Sequence, residues 1–423
     1  MPPFDGLVYA ASTPSPVSSS VFAGLTGPIV PDVFGVDQLS LTIILGLVAL
    51  FGLLVLCLPA TGDFFRHLVM LLFFFLGAFC VITAQNLVAF VGAWEITCLF
   101  AWGIGQLANG ADEVRDGVVP FRAAGALGSF AMLLGLVLFG LSRHSLLLNL
   151  SDDPAVQPGF VPFLILIALI LKTYGLLSEG WDLRPGRGFT LAGAVLAGAG
   201  VLAVGLYPFF RFFGALFATT DGWRTQTIWI MGALAVLAAL AALVQVDYRR
   251  ALAYGAFSQF CLMAAVYATG IPIAALGAVI GSVANALAFT GLFVGVSGAE
   301  EATAQVLIQR VGGLAPRLPL TTALFVLCAA ALVGLPGLGG FAAARLIGTA
   351  TASSPTLPLL WLLVIGLTLL YLAKLFTSLF LGEPRGPVRA ERRWPTLVAT
   401  GGVVGTLLLV SAAATDVVAL LTH

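Results

Sequence analysis

The stretch "GAWEITCLF", residues 92–100, sets a carboxylate, Glu95, in the middle of an apolar run. An ionised side chain at membrane depth is costly and is kept where it meets a partner charge or a protein-lined path. Whether this run is a membrane span therefore decides the fold. The rest of the chain says that it is. Of 423 residues, 60% are hydrophobic and 9% charged, and the mean hydropathy is +1.07. Water-soluble domains do not carry this balance, whereas polytopic membrane proteins do.

A span takes roughly 20 mostly apolar residues, and scanning on that length predicts an all-α protein with about twelve transmembrane helices. They fall near 39–59, 65–84, 86–107, 120–142, 159–180, 189–213, 226–246, 251–270, 272–297, 318–349, 357–381 and 395–420. Residues 1–38, rich in Pro, Ser and Gly, read as an extramembrane lead-in. Residues 39–213 form a first helical half, 226–381 a second, and 395–423 a C-terminal helix. Arginines concentrate in one set of loops, including Arg66, Arg184, Arg249, Arg317 and Arg392. The positive-inside rule makes those loops cytoplasmic, which places the protein in an inner (cytoplasmic) membrane with both termini on the outer face.

Several function classes fall away. A net charge of zero gives no reason to expect a nucleic-acid partner. The five cysteines sit far apart in apolar runs, the three histidines are scattered, and no glycine-rich phosphate loop follows a strand pattern. No metal or cofactor is expected from that pattern, and no catalytic centre within the chain itself.

Charge inside the spans is the informative part. Lys172 and Lys374 are the only lysines, and both fall within predicted helices, while most arginines lie in loops. Lysine changes protonation readily when buried, whereas arginine stays charged. Two predicted helices also look broken. One reads "LILKTYGLLSEGWDLRPG", with Gly175 and Gly180 around Glu179. The other reads "LVGLPGLGGFAAARL", with Pro336 among four glycines, over 333–341. Unwound backbone at membrane depth lines protein-enclosed paths, and breaks at matching positions of two halves point to inverted repeats.

These residues resemble a known family. "FGVDQLSL" (34–41), "GAWEITCLF", "LKTYGLLSEGWDLRP" (171–185), "VDYRRALAYGAFSQ" (246–259) and "GGLAPRLPLTTALFVLCAAALVGLPGLGGF" (312–341) occur in one order. That order is similar to the antiporter-like membrane subunits of respiratory complex I, membrane-bound nickel–iron hydrogenases and Mrp-type cation/proton antiporters. The resemblance implies inverted repeats with two discontinuous helices and a midplane series of buried charges. It matches Glu95 to the family's carboxylate and Lys172 to the lysine that pairs with it, a proton relay. It implies protons or monovalent cations as cargo, and as partners the lipid bilayer and other membrane subunits of a multisubunit complex.

The onward series departs from the family. Ala203 stands where a lysine is often found. "NALAF" (285–289) puts Asn285 and Phe289 where the family has histidine and lysine. Ala344 falls at the exit position, with Arg345 one residue along, and Glu179 replaces a histidine in the first break.

Each residue also has a plainer reading. Glu95 and Lys172 form either a protonatable pair or a structural ion pair between helices. Glu179 extends that site or reaches the cytoplasmic surface. Arg345 is an exit-side gate or a periplasmic anchor. Lys374 snorkels to the interface or joins a relay. Asn285, Ser282, Gln259 and Ser258 hold water or join helices. Asp247, Arg249 and Arg250 read as a solvated helix end. Three functions follow: a proton-translocating membrane subunit of a redox-driven complex I-like or hydrogenase complex, an Mrp-like antiporter or inorganic-carbon uptake subunit, or a non-conducting scaffold.

Overall fold

In lipid an apolar run satisfies its own peptide groups only by forming a helix, so the composition leaves the backbone little choice. The computed structural model describes residues 34–56, 64–109, 119–143, 160–179, 189–217, 221–351, 356–389 and 401–408. Within them the chain forms α1 (Gln38–Leu56), α2 (Phe64–Thr83), α3 (Leu87–Asn109), α4 (Val119–Arg143) and α5 (Phe160–Glu179). A long rod follows, built from α6 (Phe189–Val195), a π-helical segment (Leu196–Leu206) and α7 (Tyr207–Phe217). Then come α8 (Asp221–Val244), α9 (Tyr248–Tyr267), α10 (Pro272–Thr303), α11 (Pro319–Val333), α12 (Gly339–Thr351) and α13 (Thr356–Phe380).

Among the described residues nine helices are long and apolar enough to cross a membrane. Three of the expected spans account for the difference. Helix α9 is long enough but carries Arg249, Arg250, Ser258 and Gln259. The span expected at 318–349 is two shorter helices, α11 and α12. The C-terminal span falls mostly outside the described residues, which hold helix only at 401–408.

The rod and α10 form the centre. Ala192–Phe213 is buried along its length, and α10 nearly so. Around them stand α1 to α4, α8 and α13, whose outward faces carry Leu45, Leu76, Phe130, Leu237 and Leu362. Such a band of exposed apolar side chains is what lipid contact requires.

The small residues of "LAGAGVLAVGL" let neighbouring helices close on the rod, and all eleven are buried. Two side chains from outside take up its carbonyls. Trp94 Nε1 donates to Val204 O at 3.0 Å, and Thr290 Oγ1 donates to Ala194 O at 3.3 Å. Donors of this kind compete with the helix's own bonds and accompany its widened winding.

The second break is well defined. Gly334 ends α11 in a left-handed conformation, φ 83°, and its amide bonds back to Ala331 O at 3.2 Å. Helix α12 restarts at Gly339 and lies against the end of α11. A Cβ at Gly340 would sit 1.9 Å from Ala331 O, so only glycine permits that approach. The first expected break is different. Helix α5 runs unbroken through Gly175 to Glu179, and Gly180 lies outside the described residues.

Candidate functional site

Helices α3, α4 and α5 bring one charged cluster together. Lys172, on α5, is 8% exposed. Its Nζ donates to Glu95 Oε2 at 3.0 Å and Oε1 at 3.3 Å. It also donates to the Ser129 hydroxyl from α4 and lies 5.0 Å from the centre of the Trp94 ring. Lys172 Nζ is thus held by a carboxylate, a hydroxyl and an aromatic face, partners that offset the cost of burying it.

Glu95 is placed differently. Its side chain is 40% exposed. It shares the outward face of α3 with Val88, Ile96, Leu99 and Trp102, all exposed apolar residues. The pair therefore runs from the interior, at Lys172, to the perimeter, at Glu95. Ser129 escapes a search for charges, since it is a lone hydroxyl among small residues. Its one signal is that it is polar in mid-span. Trp94 stands beside Glu95 in the sequence motif, but its double task shows only in space. The ring carries Lys172 on its face while its N–H holds the rod.

A second, neutral cluster lies farther along the chain. Asn285 Nδ2 donates to Gln259 Oε1 at 3.2 Å, Gln259 Nε2 to Thr368 Oγ1 at 3.1 Å, and Thr368 Oγ1 to Val364 O at 2.8 Å. These bonds join α10, α9 and α13. Ser282 bonds within its own helix, to Ala278 O, and Ser258 donates across to Ala235 O on α8.

The remaining candidates are scattered. Lys374 Nζ donates to Leu243 O and Gln245 O, both at 2.7 Å, so it caps the C-terminal end of α8. Arg345 is exposed, while Ala344 beside it lines a cavity at the break. Glu179 is the last residue of α5, and its side chain lies outside the described residues. At the helix end at 247–250 only Arg250 is exposed as expected; Asp247 and Arg249 are buried. Asp247 caps α9 through the Arg249 amide and pairs with the Arg249 guanidinium at 3.2 Å, and the two are 8% and 4% exposed. Glu300, 2% exposed, lies inside a helix that continues past the expected span end at 297. On the other side of the bundle Asp37 caps α1 and forms an ion pair with Arg211 of α7.

Comparison with known proteins places the chain in a family. Residues 84–371 match the family model described as "NADH:quinone oxidoreductase/Mrp antiporter, TM". A probable K(+)/H(+) antiporter protein of Rhizobium meliloti (strain 1021) is 27% identical over 271 residues, 62% of this chain and 27% of that one. The NADH-ubiquinone oxidoreductase chain 5 of Sus scrofa is 25% identical over 340 residues, 78% of this chain and 54% of that one. This chain thus spans well under two thirds of either relative's length. Among solved structures, a chain of respiratory complex I from Thermus thermophilus superposes with a TM-score of 0.75 at 25% identity, covering 91% of this chain and 84% of that one. A chain of the Mrp complex from Dietzia sp. DQ12-45-1b gives a TM-score of 0.80 at 19% identity, covering 92% and 84%. With residues 84–371 matched by the family model, this multi-pass membrane chain belongs to the NADH:quinone oxidoreductase/Mrp antiporter family of membrane subunits.

Proposed function

We propose that this chain is a proton-handling subunit of a redox-driven, complex I-like or hydrogenase-like membrane complex, and that Glu95 and Lys172 are its protonatable pair. The observation that carries the reading is the pair's placement. A carboxylate on the lipid-depth perimeter, flanked by Ile96 and Leu99, is expensive if it faces hydrocarbon. It is tolerable where a neighbouring membrane protein covers it, and there it meets whatever charge that neighbour presents. Protonation of Glu95 releases Lys172 from its partner, and deprotonation restores the 3.0 Å pair. The chain so converts a charge change at its edge into one in its interior. In this reading the arginine-rich loops are cytoplasmic and electron transfer belongs to partner chains.

A second reading, an Mrp-like cation/proton antiporter assembly, is supported by the likeness to the Mrp complex fold and to a K(+)/H(+) antiporter protein. Gentle purification from native membranes, with identification of every co-eluting chain, separates the two. Hydrogenase or quinone-oxidoreductase subunits in the eluate support the redox reading. Cation-transport subunits without a redox partner overturn it in favour of the antiporter.

A further inference from the structure

We propose that the Gln259–Asn285 amide pair is a proton seal, which stops proton transfer between two water-sized cavities in the second helical half. The inference rests on reading the chain as proton-handling and says where the proton goes no further.

The first cavity lies between the π-helical segment and α10, against Ala197, Val201, Leu206 and Phe289. The second lies at the break, against Leu332, Gly334, Gly340 and Ala344. Each leaves about 10 Å³ for water centres, room for a single molecule. Gln259 and Asn285 line both cavities, so the pair stands where the two adjoin.

Three features make the pair a barrier. First, among the described residues those lining the two cavities include no carboxylate, amine, imidazole, phenol or thiol. A single water in such a place has no titratable neighbour to take its proton. Second, the amides are committed. Gln259 is 2% and Thr368 0% exposed, and the hydrogen bonds run one way, from Asn285 through Gln259 to Thr368 and on to the backbone carbonyl of Val364. A proton wire needs each station to accept a proton on one side and release one on the other. A carbonyl at the end has none to release, and an amide relays only through a strongly disfavoured protonated or imidic form. Flipping both amides reverses the direction of the bonds and leaves them just as neutral. Third, the seal is braced on three helices, α9, α10 and α13, with partners for both the oxygen and the nitrogen of the Gln259 amide. Opening it means breaking buried hydrogen bonds rather than moving a loose side chain.

Protons exchanged at Glu95 and Lys172 therefore stay in the first half, and the chain transmits charge state rather than passing protons through its second half. The test uses the full chain in phosphatidylethanolamine/phosphatidylglycerol liposomes under a valinomycin-imposed potassium potential, with a pH-sensitive dye inside. The wild type is expected to match protein-free liposomes. Asn285→Asp puts a titratable group between the cavities and is expected to raise proton flux about tenfold, equivalent to lowering the barrier by about 1.4 kcal/mol. Gln259→Glu is the independent second variant. A wild type that conducts as well as the aspartate variant overturns the seal. So do two acidic variants that purify as folded, monodisperse chains and conduct no better than wild type. Adding Glu95→Gln to Asn285→Asp separates this inference from the one beneath it. Flux that falls supports Glu95 as the entry point. Flux that stays high leaves the seal standing and overturns the entry role.

Discussion

Removing the charge of Glu95 should cost more stability than removing that of Lys172, and removing both should cost least. Glu95→Gln leaves the Lys172 ammonium, 8% exposed, without the carboxylate 3.0 Å away. Stranding one charge of a fully buried pair costs about 3–5 kcal/mol. Glu95 is 40% exposed, which weakens the pair it makes, and the Ser129 hydroxyl and Trp94 ring still hold the ammonium. Together these reduce the expected loss to about 2 kcal/mol. Lys172→Met fills the same space without charge and leaves a carboxylate that can turn outward, for a loss of about 1 kcal/mol. In Glu95→Gln/Lys172→Met no charge remains to be stranded, and stability should return to within about 1 kcal/mol of wild type. The cycle then shows a coupling energy of about 2–3 kcal/mol. The assay is reversible unfolding in mixed micelles titrated with dodecyl sulfate, followed by tryptophan fluorescence. Single losses that simply add in the double variant would refute the argument, because they would mean the two charges do not depend on each other.

Other substitutions follow from the same geometry. Lys374→Met removes two 2.7 Å bonds to the end of α8 and should lower stability by about 2 kcal/mol in that assay, with proton coupling unchanged. Arg345→Ala, at an exposed position, should change stability by less than about 0.5 kcal/mol and leave proton translocation by the native complex intact. Gly340→Ala drives a Cβ into Ala331 O and should cost about 3 kcal/mol, read as a lower unfolding midpoint. Trp94→Phe should cost about 1 kcal/mol by freeing Val204 O, and hydrogen exchange along the rod should rise.

Much of this is legible in the residues because charge and backbone breaks are rare at membrane depth. Glu95 and Lys172 stand out against their apolar surroundings, and in space they are partners. Gly334, Pro336 and Gly340 announce a break, and the chain unwinds there. What stays hidden depends on distant contacts. A lysine near a helix end looks the same whether it reaches toward headgroups or, as Lys374 does, caps a helix more than a hundred residues away. The burial of Asp247 and Arg249 follows from packing against the segment after α10, where Tyr248 O–H donates to Gln305 O. Glu300 falls beyond the expected span because a length rule of roughly 20 residues ends α10 too early. The π winding is invisible because a run of Ala, Gly, Val and Leu suits either helix, and the donors that accompany it, Trp94 and Thr290, come from elsewhere.

The central claim is that Glu95 exchanges a proton as part of coupling. The most direct measurement is the number of protons translocated per turnover by the native membrane complex, in wild type and in Glu95→Gln, with the driving reaction monitored alongside. The account predicts that the driving reaction continues in Glu95→Gln while protons per turnover fall. An unchanged proton count in a complex that assembles normally would contradict it.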